Sequence, residues 1–134
     1  WPMLFQIAFG ECEGKQTLYS IPGLRGYSSL YHRDARFTHT EEVAIETIDG
    51  FCKRHNIKEI SLLKLDVEGS ELMCLRGAKQ MLSHIKAIQF EFGLGSKGAH
   101  VYFSDIFDFL ADYTIYRIMH NALIKIEYST ESHE

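Results

Sequence analysis

Ile60-Ser61-Leu62-Leu63-Lys64-Leu65-Asp66-Val67-Glu68-Gly69-Ser70-Glu71-Leu72-Met73-Cys74-Leu75-Arg76-Gly77-Ala78 changes its hydrophobic period halfway along, and that change decides the fold. From Ile60 to Val67 the run is nearly continuously apolar, which fits a central parallel strand better than a half-exposed antiparallel one. The strand must stop near Glu68-Gly69, because from Ser70 to Leu82 the residues Leu72, Leu75, Met81 and Leu82 supply an apolar stripe at helical spacing. Glu71 lies beside the start of that helix, where the positive end of the helix dipole favours a carboxylate.

Working outward, Leu4 to Phe9 reads as a short buried strand ending at Gly10-Glu11, and Lys15 to Ser20 as an outer strand with period two. Ile21 to Arg36 has the composition of a turn and loop, open enough for a lid or substrate loop. Val43 to Thr47 reads as a strand, and Ile48, Phe51 and Cys52 place a short helix over 48–55 with Thr47 as its cap. Ala87 to Phe92 is a further strand, Gly93 to Gly98 a glycine-rich loop, and 101–110 a helix with Phe103, Ile106, Phe107 and Leu110 inward. Thr114 to Met119 and Leu123 to Tyr128 form an antiparallel pair across the turn at His120-Asn121-Ala122, followed by a polar tail from Ser129. This alternation of strands and helices is the α/β pattern of a mostly parallel sheet covered on both faces.

The chain has 134 residues, 46% of them hydrophobic and 24% charged, which is one ordinary domain whose folding needs neither disulfides nor zinc. A net charge of −4 provides no positive field for nucleic acid, and no apolar stretch is long enough for a membrane span. Three widely spaced cysteines, Cys12, Cys52 and Cys74, read as reduced thiols of a cytoplasmic protein.

Ligands of an open parallel sheet bind beyond the carboxyl ends of its strands. That rule selects Gly10-Glu11, the turn Asp66-Val67-Glu68-Gly69, the stretch from Glu91 to Gly93, and the loop from Gly23 to Ser29 if it folds over that edge. Asp66 and Glu68 share a side if the strand runs through them, and Lys64, at the same parity, is placed to neutralise them. Each carboxylate has two readings, a cap or loop anchor on one side and a contact to a ligand or reacting group on the other. Tyr19, Tyr27, Tyr31 and Phe37 either line a pocket or pad a loop against the sheet. The seven histidines form no zinc spacing, no phosphate-binding loop or nucleophile elbow occurs, and Gly93 to Gly98 reads as a plain loop and not a dinucleotide site.

Thr47-Ile48-Asp49-Gly50-Phe51-Cys52 and the strand-to-helix stretch from Ile60 to Ala78 resemble the signature of the FkbM methyltransferase family: a Thr-Leu-Asp-Asp-Phe-like helix entry, a Leu-Lys-Ile-Asp-Val-Glu-Gly strand end, then Glu-Leu-x-x-Leu-x-Gly-Ala. Ile7 to Glu11 with Gly14 is similar to the family's Ala-Leu-Ser-Asp…Gly, Ser28-Ser29-Leu30 to its Ser-Ser-Leu, and Phe90-Glu91 to its strand-ending glutamate. Gly10, Glu11 and Gly50 depart from the family pattern. The resemblance implies an incomplete Rossmann-like class I methyltransferase sheet, mostly parallel with an antiparallel C-terminal strand. Residues 1–134 would form a single partial domain, lacking the first two strands and the glycine-rich cofactor loop of the family.

What the resemblance implies about activity is S-adenosylmethionine-dependent O-methylation of a small-molecule or sugar hydroxyl, with no metal. Asp66 would accept the proton, Glu68 and Glu91 would orient substrate or cofactor, and Phe9, Glu11 and Asp66 would contact the cofactor. The expected partners are that small-molecule or glycan substrate and a second copy, a homodimer through an exposed sheet edge; nucleic acid and membrane are not expected. Two other readings stay open, a non-catalytic protein-binding or structural relative and an α/β enzyme whose carboxylates hold a divalent cation.

Overall fold

Strand pairing in this chain is dominated by one long antiparallel ladder, seen in a computed structural model that describes residues 2–24, 28–92 and 101–127. Strand β2 (Gly14–Ser20) pairs along its whole length with β4 (His39–Glu46), from Gly14 opposite Ile45 to Ser20 opposite His39. Strand β1 (Ala8–Phe9) lies parallel to β4 on its other side, and β3 (Ser28–Ser29) lies antiparallel to β2, giving the order β1-β4-β2-β3. A parallel pair, β5 (Leu63–Leu65) and β6 (Ile88–Phe90), forms a second sheet, extended by a bridge between Ile60 and Ile85. The hairpin of β7 (Tyr116–Met119) and β8 (Ala122–Lys125) is the third. Among the described residues three α-helices complete the fold, α1 (Ile48–Arg54), α2 (Glu71–Arg76) and α3 (Phe103–Phe109), with a 3-10 helix at Leu82–His84.

The chain is therefore α/β, as its pattern predicts, but the expected single, mostly parallel sheet does not form. Among the described residues the strands divide into three sheets and the largest is mixed. The reason lies in the polarity of β2 and β4. Their facing residues Lys15, Gln16, Thr17, Glu41 and Glu42 are solvated, with Lys15 Nζ 2.6 Å from Glu42 Oε1, and a half-solvated ladder suits antiparallel pairing. Because the first half of β4 is polar, the sequence reading starts that strand at Val43 and misses residues 39–42.

Other elements are shorter than the sequence predicts. The strand expected over 4–9 pairs only at Ala8 and Phe9, and Leu4 is 97% exposed. Phe5 leaves the strand path to place its ring edge-on to Phe51, with centroids 5.0 Å apart. The helix expected over 70–82 stops at Arg76. The amides of Gln80 and Met81, which would have continued it, donate instead to the Asp49 carboxylate at 2.9 Å each, while Asp49 N–H donates to Gly77 O at 2.9 Å. Thr47 caps α1 as expected, its hydroxyl accepting from Gly50 N–H at 3.0 Å. The expected loop over 93–98 and the polar tail lie outside the described residues.

The core gathers where the two helices α1 and α2 meet α3 and β5, around Ile48, Cys52, Leu65, Leu75, Ile106 and Leu110. The Cys74 thiol sits inside it and donates to the Phe9 carbonyl at 3.2 Å, fastening α2 to the end of β1. No described helix is long and apolar enough to cross a membrane.

Burial pushes the Cys74 thiol up to about 12 from an ordinary 9.0, and the nearby Glu71 carboxylate adds to the rise. The thiol of the unfolded chain ionises first, so the stability due to neutral Cys74 is complete below pH 9.0 and is lost as pH climbs towards about 12. Denaturant melts across that range should show wild type losing stability more steeply than Cys74→Ala, by up to about 1.4 kcal/mol per pH unit. Parallel pH profiles would mean that the thiol is not buried.

Candidate active site

The turn after β5 is built around a buried acid. Glu71, the first residue of α2 and only 3% exposed, folds its carboxylate back over the turn. It accepts from Gly69 N–H at 3.0 and 3.2 Å and from Val67 N–H at 3.3 Å. Those amides make a desolvated carboxylate tolerable, and in return they fix the turn. Glu68 and Gly69 both sit at positive φ, 54° and 107°, a conformation that costs a residue with a side chain about 1–2 kcal/mol unless its surroundings hold it.

Part of that hold comes from the segment after β3. Arg33 Nη1 donates to Glu68 Oε2 at 3.0 Å, Arg33 Nη2 donates to the Glu68 carbonyl, and Ser29 Oγ donates to the same carbonyl at 3.5 Å. Tyr31 N–H in turn donates to Ser29 Oγ at 3.1 Å. The segment read from sequence as a lid thus clamps the acidic turn in its described part; Gly26 and Tyr27 lie outside the described residues.

Helix α2 connects this turn to the other strand end. Its Cys74 holds Phe9, and Arg76 Nη1 lies 3.6 Å from Glu11 Oε2 just beyond β1. Gly77 packs so tightly on the Gly10 carbonyl that no Cβ fits there, which is why this position is glycine. The ends of β1 and β5, which belong to different sheets, are therefore tied to one short helix.

The candidate carboxylates do not converge in one cavity. Asp66 and Glu91 both line a broad cleft of about 1320 Å³ between β5-β6 and the β7-β8 hairpin, with Lys64 Nζ 3.6 Å from Asp66 Oδ2 as its parity predicts. Glu11 lines a separate cavity of about 480 Å³ beside β2. Glu68 lines neither and is held by Arg33. Phe9 is half-buried, its ring edge-on to Phe51 at 5.5 Å. Among the described residues no group of three His, Cys, Asp or Glu side chains is arranged to hold a metal ion.

Sequence reasoning misses three organising residues, Arg33, Asp49 and the turn-binding role of Glu71. Arg33 reaches across 35 positions from a segment without periodicity, so nothing local marks it. Glu71 carries a signal, an acid two residues beyond a glycine turn, but the helix dipole explains it equally well from sequence alone. Replacing it with Ala strands the Val67 and Gly69 amides, and we expect a loss of roughly 2–3 kcal/mol in denaturant unfolding. A loss under about 0.5 kcal/mol, the size of an ordinary surface change, would show that the turn holds without this acid.

The family model for the Methyltransferase FkbM domain matches residues 5–117, from the segment before β1 into β7. No curated protein and no solved structure matches the chain. The match takes in the Thr47 helix entry, the acidic turn after β5 and the glycine that seats α2 on β1. The chain belongs to the FkbM methyltransferase domain family.

Proposed function

We propose that this domain is an S-adenosylmethionine-dependent O-methyltransferase acting on the hydroxyl of a neutral small molecule or sugar. Besides the family, the observation that carries this reading is the tie made by α2 between the ends of β1 and β5. It fixes an acid beyond each strand, Glu11 and Asp66, where the open-sheet rule expects a ligand.

Glu11 fits the nucleoside part of the cofactor, whose hydroxyl and amino groups need acceptors, while Asp66 lines the neighbouring cleft, and both remain partly accessible. Phe9 and Glu11 would hold the nucleoside part and Asp66 the end nearer the cleft; once bound, the cofactor supplies an electrophilic methyl group. Asp66 is the proton acceptor in this reading. It is half exposed at the cleft, with Lys64 Nζ 3.6 Å away and Glu91 in the same wall to orient the acceptor hydroxyl. Glu68, clamped by Arg33, sets the turn that aims Asp66. Most of the rate would come from positioning.

In the same reading β1 and β5 belong to a Rossmann-like class I sheet. Among the described residues each pairs on one side only, so further strands or a second copy of the chain would pair there, a homodimer through a sheet edge. Three unpaired thiols fit a reducing compartment such as the cytoplasm.

Calorimetric titration of S-adenosylhomocysteine into the 134-residue chain with EDTA present should give saturable binding. Asp66→Asn, a change at an exposed position, should lower methyl transfer by about 100-fold or more. A folded chain that takes up no S-adenosylhomocysteine would overturn the reading in favour of a protein-binding relative.

A further inference from the structure

The cavity beside β2, where Glu11 would meet the nucleoside part of the cofactor, must offer that nucleoside more than acceptors. A carboxylate takes hydrogen bonds from an amino group or a ribose hydroxyl, but the ring nitrogens N1, N3 and N7 of adenine are themselves acceptors and need a donor. Among the described residues no Lys, Arg or His lines this cavity, so the donor must be a neutral side chain. Gln16 and Thr17 of β2 are open to water, and Tyr19 and Tyr31 are partly so. A hydrogen bond that only replaces one to water adds little.

Ser70, in the same wall, is the contrasting case. It is 2% exposed, and its hydroxyl has no hydrogen-bond partner among the described residues. Its backbone shows why. Thr47, which caps α1, is extended at φ −87° and ψ 149°, so that its hydroxyl reaches a helix amide. Ser70 stands at the equivalent position before α2 but at φ −100° and ψ 13°, directly after the positive-φ turn of Glu68 and Gly69, and makes no cap bond. A buried hydroxyl left unpaired destabilises the fold, and alanine would fill the same space without that cost. Serine gains here when an acceptor atom enters the cavity, since it has no bond to water to give up.

We propose that the Ser70 hydroxyl is the buried donor to a ring nitrogen of the cofactor's adenine, a specificity-determining contact that complements the acceptor Glu11. The proposal rests on the methyltransferase reading, which places the nucleoside in this cavity. A flat base suits the rest of the wall, where Tyr19, its ring edge-on to His32 at 5.3 Å, stands with Leu30, Ile45 and Met73. A base with C–H in place of that ring nitrogen forfeits the bond and leaves the hydroxyl unpaired.

The test is a titration of S-adenosylhomocysteine and its 1-deaza, 3-deaza and 7-deaza counterparts, each lacking one ring nitrogen, into the full chain and into Ser70→Ala, followed by calorimetry. One deaza counterpart should bind wild type about tenfold more weakly than the parent compound. Ser70→Ala should bind the parent about tenfold more weakly and no longer discriminate against that same counterpart, with Tm unchanged or raised. A serine with a purely structural role would not couple to a single ligand atom. Alkylation of Cys12 by iodoacetamide locates the ligand, because Cys12 is exposed in the same wall while Cys52 and Cys74 are buried; S-adenosylhomocysteine should protect it saturably. The proposal is overturned if wild type binds every counterpart as well as the parent, if Ser70→Ala keeps the affinity or the discrimination of wild type, or if bound S-adenosylhomocysteine leaves Cys12 unprotected. A folded chain that binds no S-adenosylhomocysteine overturns the methyltransferase reading and this contact with it, whereas binding that is indifferent to Ser70 removes the contact alone.

Discussion

The Glu71 carboxylate is almost wholly removed from water, and it can stay there only because the backbone of the preceding turn donates to it. That mutual requirement sets the geometry of everything near it. With Gly69 N–H aimed at Glu71, the chain must pass through positive φ at Glu68 and Gly69, and α2 must begin immediately afterwards. Asp66 is left on the cleft side of the turn and Ser70 in the wall of the smaller cavity. Arg33 then closes over the turn by binding both the side chain and the carbonyl of Glu68. A single desolvated acid thus fixes the turn from which Asp66 reaches one cavity and Ser70 the other.

The other end of α2 obeys a steric constraint. Gly77 lies against the Gly10 carbonyl, and a Cβ on Gly10 would itself come within 2.7 Å of Ile45 Cγ2, so two glycines let a helix rest directly on the strand end. Asp49 completes this seat by taking the amides of Gln80 and Met81 while giving its own N–H to Gly77. Helix α2 is only as long as these contacts allow, yet it joins β1, α1 and β5. Short elements suffice here because the buried side chains Cys74 and Leu75, both fully inaccessible, pack into one shared core.

Local signals made the helices and the acidic turn legible in the sequence. Thr47 caps α1, the apolar period changes between Val67 and Ser70, and the hairpin after Thr114 forms as its short link predicts. Sheet topology was less legible, since pairing is a long-range property and the polar residues 39–42 form strand only because β2 lies beside them. Helix length was misjudged for a similar reason: Leu72 and Met81 share a period, but Asp49, more than thirty positions before Met81, takes the amides that would have continued the turn. The candidate carboxylates were found from strand ends alone. Their separation into two cavities was not, because it depends on Arg33 and on where the segment after β3 comes to lie.

The central claim is that the turn at 66–71 and the strand end at 9–11, joined by α2, form the ligand-binding rim of this methyltransferase domain. Hydrogen exchange of the 134-residue chain with and without S-adenosylhomocysteine tests it most directly. The account predicts slowed exchange on binding at the amides of Val67, Gly69, Gly10 and Glu11, which belong to that rim. Binding that slows exchange elsewhere and leaves these amides unchanged would contradict it.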